Sequence, residues 1–327
     1  MLKEIQELFN DKIIYEAAKL YNTTADQLKS LGGFESHVFE FEKDGQAYIL
    51  KITHTLRRTL NYLIGEIEFV NYLAENNVSV SKAVKSINGI FVEEINAEKG
   101  SFLTYVFEKA PGVLIKKDEL DGEKLFKWGE LTANINLHSQ NFKPSNILNQ
   151  RNHWLVDLKS YFDRFVPKSE KEIRDKAFAL MEKIDQIPKN KDNFGLTHSD
   201  LSYFNLVYHK GKLTAFDFDE CSYQYFVYEI ALALYYLRLY SNRLGMNEKE
   251  YIEFFKIYFL GGYKTILDVP DACLRNIPDF LRLRNFVEYA ADCQYFGTEN
   301  VSEKGKQIMD NKKRLIFEDG WANLGFE

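Results

Sequence analysis

Apolar and polar positions repeat with two different periods along this chain, and the change comes about a third of the way in. HVFEFE (37–42) and QAYILKIT (46–53) alternate at period two on either side of Asp44-Gly45, which predicts a hairpin closed by a tight turn. KAVKSI (82–87), an Asn88-Gly89 turn, IFVEEI (90–95) and SFLTYVFE (101–108) read as further strand segments. One helix is expected among them, near Leu60–Asn76, and IIYEAAKLY (13–21) and TADQLKSL (24–31) ahead of the strands carry helical spacing.

After Pro111-Gly112 the pattern is mainly helical. Ile173, Ala177, Leu180, Met181 and Ile184 fall on one face, and the charge run KSEKEIRDK is that helix's solvated side. YEIALALYYLRLY (228–240) reads as a buried helix, since Glu229 and Arg238 interrupt it and it is too short to span a bilayer. One short hairpin stands among the helices, with LVYH and LTAFDF around Lys210-Gly211-Lys212. The expected fold class is α+β in two lobes. A small antiparallel-sheet lobe covers 1–106, a hinge 107–113, and a larger, mostly helical lobe 114–327. A cleft between such lobes is a favoured ligand site.

Composition narrows the class. A chain of 327 residues is long enough for two cores, and 45% hydrophobic with 28% charged residues is ordinary globular composition. A formal net charge of -6 disfavours nucleic acid and anionic membrane as partners, and leaves room for a cationic ligand. Cys221, Cys273 and Cys293 form no C-x-x-C pair, so buried thiols in a reducing cytoplasm are expected. The opening MLKEIQELFNDK lacks the apolar stretch of a signal peptide. The six histidines show no metal-ligand spacing.

HSDLSYFN (198–205) matches the kinase catalytic loop H-R-D-L-x-x-x-N at every fixed position except the arginine, where Ser199 stands. Phosphoryl transfer needs a carboxylate to orient and deprotonate the attacking hydroxyl, and Asp200 suits that role. It also needs hard oxygen ligands for Mg2+ on the nucleotide phosphates, which Asn205 and Asp217 can supply. Asp219, two residues on, is a candidate for a second ion or for the acceptor. In the first lobe, Lys51 on the strand YILKIT could hold phosphates, with Glu66 on the following helix to orient it. Glu68 is the alternative partner, on a different face of that helix. Gly32 and Gly33, in LGGFESHVFEF, allow backbone N–H groups to approach phosphate closely; a plain turn is the competing reading.

Taken together, these segments resemble the aminoglycoside phosphotransferase family, which includes choline kinases and type II homoserine kinases and has a protein-kinase-like fold. LGGFESHVFEFEKDGQAYILKI resembles that family's phosphate loop, Ser36 included, and lysine strand; VFEKAPG its hinge; HSDLSYFN its catalytic loop; AFDFDE its metal segment. The resemblance implies that Phe107 backs the adenine pocket and that the backbone of Glu108 and Ala110 pairs with adenine. The chain departs from the family in Ser199, commonly Gly, and in Glu229, often Asp.

Protein kinases carry an activation loop and an A-P-E motif after the metal-binding Asp. Here a helix follows Asp217 within about a dozen residues, so the acceptor is expected to be a small molecule with a hydroxyl. Tyr203 is a candidate to face it, against packing of Tyr203 and Phe204 in the lobe's core. Glu288 and Asp292 share a helix face and, with Asp219 and Glu220, could form an acidic wall for an amine; the bland reading is a solvated face with Arg284 nearby. The expected activity is an ATP-dependent phosphotransferase using Mg2+, with GTP left open, as monomer or homodimer. The competing classes are a catalytically silent nucleotide- or metabolite-binding module and, more weakly, a hydrolase using the same carboxylates.

Overall fold

The computed structural model describes residues 3–33, 35–116, 119–241, 245–297, 301–318, 321 and 326. It divides into two compact units. One is Met1–Val113 with Phe142–Arg151 and Val207–Asp219; the other is Leu114–Asn141, Asn152–Leu206 and Glu220–Glu327. Two segments that follow the expected hinge in sequence thus pack with the first unit.

The first unit is built on an antiparallel sheet of β1 (Lys29–Gly32), β2 (His37–Lys43), β3 (Gln46–His54), β4 (Ala83–Val84), β5 (Glu93–Asn96) and β6 (Ser101–Glu108). The order is β1-β2-β3-β6-β4, with β5 also on β6. Asp44 (φ 53°) and Gly45 (φ 75°) both take positive φ in the β2–β3 turn, as a type I′ turn requires. Helices α1 (Lys3–Leu8) and α2 (Asp11–Lys19) precede the sheet, and α3 (Leu60–Glu75) follows β3. Phe39, Phe41, Leu50, Ile52, Phe102 and Val106 from the strands pack with Ile13, Ala17 and Tyr21 in one apolar core.

TADQLKSL does not form the expected helix. A single 3-10 turn, Ala25–Gln27, is capped by Thr24, and the chain then pairs as β1 with Lys29 opposite Glu40. The free edge of β2 offers a ladder of backbone bonds that overrides the local spacing. The Asn88-Gly89 turn is present, with Ser86 N–H donating to the Ile90 carbonyl (2.8 Å). Its flanks are strand only over Ala83–Val84 and Glu93–Asn96, each beside β6. The hairpin around Lys210 (φ 47°) and Gly211 (φ 80°) is anchored through Ala215, whose N–H and carbonyl bond to Ser79 and Ser81 (both 2.9 Å).

The second unit is mostly helical, with Gly122–Ser139, Trp154–Phe165, Lys171–Asp185, Phe226–Ser241, Ile277–Phe296 and Glu303–Glu318 as its longer helices. The 171–185 helix buries Ile173, Ala177, Met181 and Ile184, the face its spacing predicts. The 226–241 helix buries Ile230 through Leu234 without interruption, as a central helix does. A two-stranded ribbon, Phe194–Thr197 against Ser222–Tyr225, is registered Thr197 to Ser222 and leads directly into His198. No helix among the described residues is long and apolar enough to cross a membrane.

Candidate active site

Lys51 lies on β3 between Val38 on β2 and Tyr105 on β6. Its ammonium is 2.6 Å from Asp217 Oδ1 and 5.8 Å from the centre of the Tyr105 ring. Burial alone would lower the lysine's pKa, but Asp217 above all, then Tyr105, Glu66 and Asp219, hold it well above the usual value. Glu66, on α3, is fully buried, and neither of its carboxylate oxygens has a hydrogen-bond partner among the described residues. Burial pushes its pKa up to about 7 against the pull of Lys51. Glu68 is engaged elsewhere: it accepts from Ser145 N–H (3.1 Å) and Asn149 Nδ2 (2.8 Å) and so ties the 142–151 segment to α3. Gly65 permits that contact, since a Cβ there would stand 2.1 Å from the Asn149 carbonyl oxygen.

Asp217 adopts φ 65° just past the hairpin, and its side chain is 44% exposed. Asp219 is buried and faces cations: Arg57 forms a two-point ion pair with it, and Arg58 Nε is 3.6 Å away. Burial raises the Asp219 carboxyl, but Arg57, Arg58 and Lys51 together hold it well below the usual range. Arg57 also pairs with Glu35, which links the loop before β2 to the Asp219 segment. Arg151 donates to the Asp219 carbonyl (2.5 Å) and stacks 3.5 Å over the Tyr62 ring. In the loop itself Gly33 has φ 133°, and a Cβ there would lie 1.9 Å from the Ser36 carbonyl oxygen. Ser36 is buried, with no hydrogen-bond partner for its hydroxyl among the described residues. Phe107 is buried at the end of β6, and the Glu108 N–H donates to the Lys82 carbonyl (2.8 Å).

In the second unit, Ser199 takes φ 64°. That region favours glycine, which accounts for the residue common in the resembling family. The serine is held there by Thr197 and Ser222, whose hydroxyls lie 3.1 and 2.9 Å from its own, and by Glu229, which accepts its N–H at 2.6 Å. Glu229 is buried, and desolvation pushes its pKa up to about 7. The Asp200 N–H donates to His198 Nδ1 (3.3 Å). Asn205 Nδ2 donates to the Asp200 carbonyl (2.8 Å) and to Oδ2 (3.2 Å), leaving the amide oxygen outside those bonds.

Arg284 Nη2 is 3.1 Å from Asp200 Oδ1 and 2.6 Å from Glu288 Oε1. Burial works against the Arg284 charge, yet Tyr236, Glu288, Tyr228 and Asp200 hold its pKa well above normal. Glu288 is also near Lys312 (3.9 Å). Asp292 Oδ2 is buried without a hydrogen-bond partner among the described residues, and burial raises that carboxyl. Tyr203 is buried, with its ring edge-on to Tyr236, whereas Phe204 is 52% exposed. Glu220 is exposed. Sequence reasoning did not single out Glu35, Arg57, Arg58 or Arg151. Their only signal is the Arg57-Arg58 pair directly after the lysine strand and an arginine isolated in the polar stretch NQRN.

Residues 28–256 match the phosphotransferase enzyme family. The chain is 34% identical to the amicoumacin kinase of Bacillus subtilis (strain 168) over 327 residues, covering 99% of this chain and 97% of that one. Its fold is similar to that of amicoumacin kinase hAmiN in complex with AMP-PNP, Ca2+ and Ami. The TM-score is 0.94 at 31% identity, over 100% and 99% of the two chains. A microcompartment-associated aminopropanol kinase shares the fold at TM-score 0.73 and 21% identity, over 95% and 99%. The chain belongs to the phosphotransferase enzyme family. It is a small-molecule kinase with a protein-kinase-like fold.

Proposed function

We propose that the chain transfers the γ-phosphoryl group of ATP to a hydroxyl of amicoumacin or a close analogue. The observation that carries this reading is the extent of the amicoumacin kinase likeness: the family match stops at residue 256, but that likeness runs on through the helix that carries both Arg284 and Glu288. The groups whose loss silences a kinase, Lys51, Asp200, Asn205 and Asp217, are all present, which favours turnover over a silent binding module.

In this reading Lys51 neutralises nucleotide phosphate, with Glu66 as its buried counter-charge. The loop through Gly32, Gly33 and Ser36 offers N–H groups and a hydroxyl to phosphate; the partnerless Ser36 Oγ fits such a role. Phe107 backs the base, and the Glu108 carbonyl and Ala110 N–H pair with it. Asp217 and Asn205 are the proposed cation ligands. Their oxygens are hard donors suited to Mg2+, which takes few protein ligands and completes its shell with phosphate and water. Among the described residues no cluster of three His, Cys, Asp or Glu is assembled for a metal. When bound, the cation would neutralise charge building on the phosphates. Asp219 we assign to Arg57 and Arg58 as counter-ion.

Asp200 accepts the proton as the acceptor's O–H bond breaks. The new O–P bond forms, the bond from γ-phosphorus to the bridging oxygen breaks, and ADP leaves with that electron pair. Of the two loop aromatics, exposed Phe204 suits the acceptor side better than buried Tyr203. Glu220 and Asp292 remain candidates for that side. Three free thiols, two of them buried, fit the reducing interior of a cell.

The test is a panel of amicoumacin, an aminoglycoside, choline, homoserine and aminopropanol with Mg2+ and ATP, read by ADP release and by the mass of one added phosphate. Amicoumacin should give the highest kcat/KM. ADP release with another acceptor and none with amicoumacin would overturn the proposed substrate.

A further inference from the structure

We propose that Arg284 is a positioning residue for the reaction: it fixes the Asp200 carboxylate in the orientation that receives the acceptor hydroxyl, and Glu288 and Tyr236 fix Arg284. The inference rests on the kinase reading and adds to it a residue outside the catalytic and metal motifs.

The geometry is a relay between three helices and one loop. Arg284 lies on the 277–296 helix and is only 8% exposed. A single nitrogen, Nη2, reaches Asp200 Oδ1 (3.1 Å), Glu288 Oε1 (2.6 Å) and the hydroxyl of Tyr236 (2.6 Å) on the 226–241 helix. Glu288 stands one turn along from Arg284 and is backed by Lys312 from the 303–318 helix, whose ammonium also donates to Tyr235 (3.0 Å). Asp200 is thus gripped at each oxygen, Oδ1 by Arg284 and Oδ2 by Asn205. The Asp200 side chain is 34% exposed, which leaves it open to the approach of a substrate hydroxyl. A guanidinium pinned between two carboxylates is planar and cannot swing as an ammonium can.

The chemistry agrees with this division of labour. An arginine beside a general base reduces its appetite for a proton, which is a poor choice if early deprotonation drives the reaction. Phosphoryl transfer passes through a loose transition state, where aiming the nucleophile matters more than basicity and the proton can leave late. The same geometry changes the reading of Glu288. Its charge is engaged by Arg284 and Lys312, so it acts on the reaction through the arginine and not by touching an acceptor amine.

The experiment compares wild type, Arg284→Lys, Arg284→Ala, Glu288→Gln and Asp200→Asn with amicoumacin, ATP and Mg2+. Arg284→Ala should lower kcat about 100-fold and Arg284→Lys about 10-fold, with both KM values within about 2-fold, since only transition-state geometry is lost. Added guanidinium should restore part of the Arg284→Ala rate and none of the Asp200→Asn rate. Glu288→Gln should lower kcat several-fold at unchanged acceptor KM. This variant keeps the arginine and the side-chain volume, so it carries the test if Arg284→Ala does not fold. A raised acceptor KM at wild-type kcat for Glu288→Gln, or wild-type kcat for either arginine variant, overturns the inference while leaving the kinase intact. Absence of wild-type turnover on every acceptor overturns the kinase reading and this one with it.

Discussion

Lys51 Nζ lies 2.6 Å from Asp217 Oδ1, while Glu66, fully buried on α3, holds a carboxylate that no hydrogen-bond donor among the described residues meets. Two carboxylates therefore compete for one ammonium, and the half-exposed one has it. An incoming cation would take Asp217 and release Lys51 toward phosphate, with Glu66 left as the charge that balances it. Near pH 4.5, where the raised Glu66 carboxyl is protonated in the fold, Glu66→Gln should thus leave the stability of the free protein within about 1 kcal/mol of wild type, because no hydrogen bond among the described residues is lost. The rise in Tm on adding AMP-PNP and Mg2+ should shrink. Lys51→Met should nearly abolish that rise. A wild-type ligand shift in Glu66→Gln would remove Glu66 from the nucleotide site.

Asp200→Asn should lower turnover by about 10²- to 10⁴-fold, the range for losing a general acid–base group. The bonds to Asn205 and Arg284 lie within the second unit and involve neither Lys51 nor Asp217, so nucleotide Kd by calorimetry should stay within about 2-fold. Turnover within about 10-fold of wild type would take the proton-accepting role away from Asp200.

Gly32 and Gly33 both have positive φ, but only Gly33 is sterically trapped: a Cβ there meets the Ser36 carbonyl at 1.9 Å, whereas at Gly32 nothing lies within 4 Å. Gly33→Ala should therefore shift the loop and weaken nucleotide binding clearly more than Gly32→Ala, whose cost is the strain of the left-handed region, about 1 kcal/mol. Titration of both variants with AMP-PNP checks the order; equal affinities would show that the loop's shape does not matter for binding.

Much of this was legible in the sequence, for identifiable reasons. The β2–β3 hairpin announces itself through period-two alternation around Asp44-Gly45, and the 171–185 helix through the spacing of Ile173, Ala177, Met181 and Ile184. HSDLSYFN marks its own chemistry because polar groups at fixed spacing have few other uses. What could not be read is what depends on long-range pairing. The end of TADQLKSL, from Lys29 on, becomes strand only because β2 has a free edge for it. Asp219 reads as a candidate for a second ion or for the acceptor, and its ion pairs with Arg57 and Arg58, some 160 positions earlier in the chain, leave no mark in the local sequence. Glu288 looks acidic in isolation, and its charge is balanced by Arg284 one turn away and Lys312 on another helix.

Ser199 holds φ 64° with a side chain that bonds to Thr197 and Ser222. Glycine would relieve the backbone strain and lose those bonds, two effects of about 1 kcal/mol each and opposite sign. Ser199→Gly should therefore stay within about 1 kcal/mol of wild type in denaturant unfolding. Ser199→Val cannot make the bonds and is β-branched in a region it avoids, so it should cost about 2 to 3 kcal/mol and slow turnover by misplacing Asp200. Equal stability of the two variants would show that the strain is relaxed in solution.

Glu229 connects this loop to pH. Its carboxyl is buried, its pKa is raised from 4.5 to about 7 by desolvation, and it accepts the Ser199 N–H at 2.6 Å. In the unfolded chain the carboxyl titrates near its ordinary value, so between the two pKa values the folded state binds more protons than the unfolded one. Stability from this group is then fully present below about pH 4.5 and is lost as pH rises through about 7. The full effect is roughly 3 kcal/mol at about 1.4 kcal/mol per pKa unit. Glu66, shifted in the same direction, adds a loss of the same sign over the same window. The comparison that isolates Glu229 is therefore wild type against Glu229→Gln, which keeps an acceptor oxygen for the Ser199 N–H and carries no titrating proton. Measured by denaturant unfolding from pH 5 to pH 8, Glu229→Gln should gain stability relative to wild type as pH rises. A difference that stays constant across that range would mean Glu229 is ionised throughout, and that the Ser199 bond is to a carboxylate at every pH tested.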